Sequence, residues 1–242
     1  MKSICTYLFS LLVAIFVLPI VLIAALFIYL YDRHNPFYVA PRVGKNGKLF
    51  KMIKLRSMCI DAHKYKIDST ANDDPRITPI GKFVRRFKID ELAQIINVIK
   101  GDIVIVGPRP QVETEVNRYT EVEKEILSIK PGITDISSIV FADEGEILEG
   151  AKDPDLLYAQ IERPWKSRLA LLYIKHASFW LDLRIMFYTF TNIFARRWTL
   201  NRLSKLVKDW PCDQKDVSEI VARTKALYAV PVPGADNIIE KI

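Results

Sequence analysis

Ile4 to Tyr31 reads ICTYLFSLLVAIFVLPIVLIAALFIYLY, 28 consecutive positions without a charged side chain. As a straight helix this run measures roughly 42 Å, against about 30 Å of bilayer hydrocarbon. It is long enough to enter a membrane. It is also about twice the apolar core of a signal peptide, and no small-x-small cleavage site follows it, so a retained membrane helix is expected. Pro19 sits in the middle, where a proline removes a hydrogen bond and bends the helix. Each half is then too short to cross alone. Residues 33–58 hold Arg33, Arg42, Lys45, Lys48, Lys51, Lys54 and Arg56 and no acid, and Lys2 precedes the run. Basic flanks stay cytoplasmic. Two topologies satisfy these residues: a Pro19-broken helix that enters one leaflet and returns, and a single kinked span.

The rest of the 242-residue chain is that of a folded domain. Half of its residues are hydrophobic, 26% are charged, and the net charge is +7. This excludes a disordered chain, a collagen-like one and a disulfide scaffold. Apolar residues do not fall into many long runs, which excludes a polytopic membrane protein. Cys5, Cys59 and Cys212 are scattered and odd in number; reduced thiols in a reducing compartment are expected.

Outward from the apolar run, Arg42 to Phe50 predicts a small hairpin, with Asn46-Gly47 at the turn. Leu49 to Leu55 has an ambiguous period. Residues 59–77 are polar and turn-rich, with Asp73-Asp74-Pro75 as a loop. Thr78-Pro79 is a helix start, Thr as N-cap and Pro at the first helical position. Phe83, Phe87, Leu92, Ile95, Ile96 and Ile99 continue a helical period that Gly101 ends. Asp102 to Val106 is a short buried strand running into a turn at Gly107-Pro108-Arg109-Pro110. Glu113 to Leu127 is amphipathic, Pro131-Gly132 is another turn, and 141–165 is acidic and irregular. Trp165 to His176 is helical, Leu181 to Trp198 is apolar with a basic end suited to a membrane interface, and Asp213 to Tyr228 is a last helix.

Chemistry concentrates at Gly81 to Leu92. Asp90 reads as a helix N-cap or as a break between two helices. Arg85, Arg86 and Lys88 precede it. Cations and a helix dipole keep an aspartate ionised and hold phosphate oxygens nearby. An ionised carboxylate so placed can attack phosphorus. Glu91 diverges from Asp90 by roughly 100° on a helix, although both can face one pocket at a helix start, where a hard cation bridges them. The prolines Pro108 and Pro110 hold Arg109 rigidly, and its planar fork suits phosphate; the plain alternative is a turn. Asp182 is one acid in an apolar stretch and needs a partner, a salt bridge or a metal. His34, His63 and His176 lack ligand spacing, and neither a P-loop nor a G-x-G-x-x-G is present. Asp153-Pro154-Asp155 has the form of a D-x-D.

Arg42-Val43-Gly44, Lys54-Leu55-Arg56-Ser57-Met58, Asp74-Pro75-Arg76-Ile77-Thr78-Pro79-Ile80-Gly81, Ile89-Asp90-Glu91-Leu92, Asn97 to Asp102, Val106 to Pro110, Lys130 to Thr134 and Leu181-Asp182-Leu183 stand in the order of the bacterial sugar transferases. The chain resembles these small monotopic polyprenyl-phosphate phosphoglycosyl transferases over about residues 5–195. Two departures stand out: Leu18-Pro19 replaces a frequent Ser-Pro in the membrane helix, and Asp135-Ile136-Ser137-Ser138 follows Thr134 where Gly-Trp-Ala-Gln is common.

The resemblance implies a mainly α fold with a small β component. It would have a re-entrant helix at 1–32 and a cytoplasmic catalytic domain at 33–198 with interfacial amphipathic helices; the tail at 199–242, read as a helical extension, lies outside the resemblance. It implies a ping-pong reaction at the cytoplasmic face of a bacterial inner membrane. Asp90 takes a phosphosugar from a UDP-sugar, UMP leaves, and undecaprenyl phosphate receives the phosphosugar. Glu91 joins Asp90 as a Mg²⁺ ligand, Arg85, Arg86 and Arg109 bind phosphate, and Asp182 organises the site. The partners are a UDP-sugar, polyprenyl phosphate and membrane lipid, with room for a homodimer and with no nucleic acid. Two other readings stay open: a D-x-D glycosyltransferase releasing UDP through Asp153 and Asp155, and a non-catalytic basic membrane scaffold.

Overall fold

The computed structural model describes residues 2–65 and 74–240. The chain is mainly helical with two small two-stranded sheets. The first helix, α1, runs from Lys2 to Asp32 and is continuous through Pro19. Arg33 ends it with a left-handed backbone, φ 61°. Strands β1 (Phe37–Val43) and β2 (Leu49–Leu55) then form the expected antiparallel hairpin. Asn46 and Gly47 supply the positive φ values, 56° and 76°, at its turn. Arg56 donates to both carboxylate oxygens of Asp32, with Nη2 to Oδ1 at 2.7 Å. That fork ties the end of α1 to the end of the hairpin.

Where a continuous helical period was expected from Thr78 to Gly101, there are three short helices: α2 (Pro79–Arg86), α3 (Ile89–Leu92) and α4 (Ile95–Lys100). Thr78 does cap α2, its Oγ1 accepting from Gly81 N at 2.9 Å. The break falls at Lys88, whose backbone is left-handed (φ 53°, ψ 27°). The apolar period survives it because α2, α3 and α4 all pack on α1. The buried stripe Ala14, Val21, Ala25 and Ile28 of α1 meets Leu55, Val84, Ala93, Ile95 and Val98. Its spacing of three, four and seven keeps one face turned inward. The outer face of α1 stays exposed, with Ile15, Phe16, Ile23 and Phe27 among the most open residues. The window Leu11–Asp32, of mean hydropathy 3.3, is long and apolar enough to cross a membrane.

Asn97 joins these parts. It is fully buried and all its polar atoms are used: Ile53 N donates to Oδ1 at 2.9 Å, and Nδ2 donates to Lys51 O (2.8 Å) and Asp102 Oδ2 (3.0 Å). A buried amide satisfied in this way fixes register; here it locks β2 onto α4.

Strand β3 (Val104–Val106) pairs in parallel with β4 (Gly132–Thr134), after a short helix α5 (Glu113–Val116). Pro131-Gly132 thus opens a strand instead of making a free turn. Gly107 and Gly132 lie backbone against backbone, and a Cβ on Gly132 would collide with Gly107.

The larger core lies beyond. Helices α6 (Ile136–Val140), α9 (Arg163–His176), α10 (Phe179–Phe194), α11 (Arg196–Val207) and α12 (Val217–Ala222) surround Trp165, Ile185, Leu203 and Ile220, all essentially without exposure. Between α6 and α9 lie two single turns, α7 (Glu144–Ile147) and α8 (Pro154–Leu157), and a π-type turn at Tyr158–Glu162. The apolar segment expected at 181–198 is cut at Ala195, where α10 ends. The last helix spans Val217–Ala222 only, shorter than the expected 213–228.

The tail is built into this core. Arg168 forks onto Asp213 (2.6–2.9 Å), and Trp165 Nε1 donates to Tyr228 O at 3.3 Å. Ile220→Ala should therefore cost about 2–5 kcal/mol, as for other filled cores, read as a fall in melting temperature of the detergent-solubilised protein. A loss within about 0.5 kcal/mol, the range of surface substitutions, would mean the tail is not part of the core.

Candidate active site

The left-handed turn at Lys88 sets the site. It redirects the chain after α2, so that Asp90 and Glu91 fall in the first turn of α3. The N-cap position is Lys88, not Asp90, and the break lies two residues before the one expected. A four-residue helix has little dipole to offer, so the electrostatics at Asp90 come from side chains.

Asp90 and Glu91 line a cavity of about 640 Å³ with Lys54, Lys82, Arg85, Arg86, Lys88 and Arg109. Glu91 Oε1 accepts from Arg109 Nη2 at 2.6 Å and from Lys54 Nζ at 3.2 Å. Burial favours the neutral acid at Glu91, yet Arg109, Lys54 and Lys88 outweigh it and hold the carboxyl well below the usual range. Glu91 in turn raises the pKa of Arg109. Asp90 goes the other way. Its burial, 9% exposed, pushes its carboxyl up, against the pull of Lys54, Arg85 and Arg109. Burial lowers the Lys88 ammonium, whose Nζ donates to Ser138 O at 3.3 Å. Two adjacent carboxyls thus differ: Glu91 is pinned between cations as a fixed anion, whereas Asp90, expected from sequence to be kept ionised by its cationic neighbours, is pushed by burial toward the neutral acid.

Arg109 reaches Glu91 from the turn after β3. Gly132 N donates to Pro108 O at 2.9 Å, and Gly107 N to Thr134 O at 3.0 Å. The close glycine pair lets β4 hold that turn rigidly. Lys54 reaches the same carboxylate from β2, where Asn97 holds its neighbour Ile53.

Of the residues read from sequence, Arg85, Arg86, Asp90, Glu91 and Arg109 come together in this cavity. Pro108 and Pro110 support the turn and lie outside its lining. Asp182 also lies outside; Tyr173 Oη donates to its Oδ1 at 2.7 Å and to Val106 O at 3.1 Å. Its partner is thus a tyrosine hydroxyl that links α9, α10 and the end of β3. Pro19 lies in α1, away from the cavity. Asp153 caps α8, accepting from Leu156 N at 3.0 Å; neither it nor Asp155 lines the cavity. Asp73 lies outside the described residues. Sequence reading missed Lys54, Ser137, Ser138, Glu144 and Lys166, which also line the cavity. Lys54 had a signal, since it stands in one of the family segments.

Comparison with known proteins agrees. Residues 1–196 match the family described as bacterial sugar transferase. The chain is 37% identical over 163 residues to the galactosyl transferase CpsE of Streptococcus agalactiae, covering 61% of this chain and 32% of that one. It is 32% identical over 200 residues to an undecaprenyl-phosphate galactose phosphotransferase of Salmonella typhimurium (74% and 39%). It is also 32% identical over 192 residues to a UDP-glucose:undecaprenyl-phosphate glucose-1-phosphate transferase of Klebsiella pneumoniae (78% and 39%). The chain spans about a third to two-fifths of the length of these relatives. With its family segments gathered around one cationic cavity, the chain belongs to the bacterial sugar transferase family.

Proposed function

We propose that this protein transfers a phosphosugar from a UDP-sugar to a polyprenyl phosphate, undecaprenyl phosphate in bacteria, as the first membrane step of a glycoconjugate pathway. The observation that carries this reading is Asp90, a carboxyl kept off the ion-paired Glu91 in a cavity lined by seven cationic side chains. A diphosphate needs such cations, and a group-transfer reaction needs such a nucleophile.

A carboxylate oxygen of Asp90 attacks the sugar-bearing phosphorus. The bond from that phosphorus to the bridging oxygen breaks and UMP leaves with the electron pair. A phosphate oxygen of the polyprenyl phosphate then attacks the same phosphorus, and the bond to Asp90 breaks. The product is a polyprenyl diphosphate sugar. Arg109 and Arg85, with Arg86 at the rim, hold the phosphates. Glu91 anchors Arg109, and Asp182 organises the β3–α9–α10 junction behind it.

The donor set fits a Mg²⁺ ion. Among the described residues no third carboxylate, His or Cys joins Asp90 and Glu91, and Mg²⁺ in phosphate sites takes one or two carboxylates, with phosphate oxygens and water completing the shell. Asp90 and Glu91 would hold it, and it would neutralise charge on the diphosphate.

The membrane reading is supported by two apolar surfaces. From Ala14 onward α1 lies along α2, α3 and α4, so a simple crossing would carry that docked layer into the bilayer. We infer instead a re-entrant α1 that keeps both ends cytoplasmic, as the basic flanks at Lys2 and Arg33 favour; the helix runs through Pro19 without the break expected from sequence. On α10, Trp180, Phe187, Phe190 and Phe194 are 54–75% exposed and recur at spacings of seven, three and four, an interfacial face. The site then sits at the inner-membrane surface on the cytoplasmic side, where a soluble nucleotide sugar meets a lipid phosphate.

Asp90→Asn should lower turnover at least about a thousandfold while melting as the parent does. Mass spectrometry of the parent incubated with a UDP-sugar and Mg²⁺ should find the phosphosugar on Asp90; an adduct on another residue, or an active Asn variant, sinks the mechanism. Chelating the metal should stop adduct formation, and adding Mg²⁺ back should restore it. For the topology, Lys2→Cys in whole cells should resist a membrane-impermeant thiol reagent applied from the periplasm. Labelling from that side would establish a spanning helix.

A further inference from the structure

Residues 199–242 lie beyond the family match and have no part in the reaction above, yet their packing leads back to the cavity. Arg223, which ends α12, donates from Nη2 to Asp143 Oδ2 at 2.6 Å. Its guanidinium lies 5.8 Å from the centroid of the Phe141 ring. Asp143 and Phe141 both line the cavity. Arg196 holds the same segment from the start of α11. Its Nη2 meets Asp143 Oδ1 at 2.8 Å, and its terminal nitrogens donate to Ile139 O and Val140 O at 3.2 and 3.1 Å. One carboxylate is therefore clamped between two guanidiniums, and Glu144 follows directly from it. Arg223 makes its contacts from a left-handed backbone, φ 56° and ψ 29°, which costs a non-glycine residue about 1–2 kcal/mol.

The cavity lining is of two kinds. Around Asp90 it is cationic and suits a diphosphate. The segment after β4 and helix α9 add Ser137, Ser138, Glu144 and Lys166, beside Lys88, whose Nζ donates to Ser138 O. Lys166 is held by Glu144 at 2.6 Å and by Glu162 at 2.8 Å, and a π-type turn, Tyr158–Glu162, places Glu162 there. Among the described residues Ser138 Oγ is buried without a hydrogen-bond partner, an arrangement rare in native proteins. Hydroxyl, carboxylate and ammonium together offer the donors and acceptors that sugar hydroxyls require.

We infer that this second set of residues forms the subsite for a neutral, hydroxyl-rich sugar, and that the C-terminal tail positions it through Arg223 and Asp143. The inference rests on the donor reading above and deepens it. Arg223 is a positioning residue: it reaches the sugar only through the segment it holds.

The test uses full-length protein in nanodiscs with Mg²⁺ and without acceptor, in an Asp90→Asn background so that no donor is consumed. Equilibrium binding is measured for UDP, UDP-glucose, UDP-galactose, UDP-N-acetylglucosamine and UDP-N-acetylgalactosamine. At least one UDP-sugar should bind more tightly than UDP. Arg223→Ala should weaken that UDP-sugar about tenfold, the scale of one charge-assisted contact, and leave UDP within about twofold. Arg223→Lys should recover part of the loss. Asp143→Asn, which removes the charge that Arg223 and Arg196 both grip, should show the same split, and it decides alone if Arg223→Ala fails to melt cooperatively. Equal losses for UDP and UDP-sugar, no loss for either, or no UDP-sugar exceeding UDP overturns the inference. Adduct trapping on the Asp90 protein reads the nucleophile separately, so either idea can fail without the other.

Discussion

Glu91 is buried between Lys54 and Arg109, and the fold is arranged around supplying those two cations. A carboxylate taken out of water must be paired or it protonates. Removing a partner from a fully buried pair costs about 3–5 kcal/mol, and Arg109, a third exposed, lies at the low end of that range. Lys54 arrives on β2, Arg109 on the turn after β3, and Glu91 on α3. Three separate pieces of chain must dock before this cluster is complete. The same requirement separates the two acids, because Glu91 takes the nearest cations and Asp90 meets burial with less compensation.

The docking relies on a few rigid joints. Asn97 locks β2 to α4, the Gly107–Gly132 contact sets the turn that carries Arg109, and the Asp32–Arg56 fork sets where α1 leaves the domain. None of these residues lines the cavity. Each replaces freedom of a segment with a hydrogen-bonded geometry, which is how a site keeps its reacting groups in place before substrate arrives. The long apolar helix serves the same end. Its buried stripe is the floor on which α2, α3 and α4 rest, so the helix long and apolar enough to cross a membrane also supports the turn that carries Asp90.

The tail shows how a chain can extend such a site. Asp213, Tyr228 and Ile220 bind it into the larger core, and Arg223 then reaches a wall of the cavity. A segment outside the family match is thereby coupled to the part of the cavity where this chain departs from the common Gly-Trp-Ala-Gln.

Much of this was legible in the sequence because the signals are local. The apolar run, Asn46-Gly47, the Thr78-Pro79 start and the strand before Gly107 each act within a few residues, and each forms as its residues dictate. The cationic character around Asp90 was legible too, since Arg85, Arg86 and Lys88 are its neighbours in the chain. The break was legible only in part: Asp90 read as an N-cap or a break, but the turn falls two residues earlier, at Lys88, and the apolar period runs across it because one partner, α1, receives all three helices. The contacts that shape the cavity join residues 18, 37 and 80 positions apart, Arg109 with Glu91, Lys54 with Glu91, and Arg223 with Asp143. Residue type announces that a charge will need a partner. Which partner it meets is set by packing, since a pairing across such separations exists only after the intervening chain has folded.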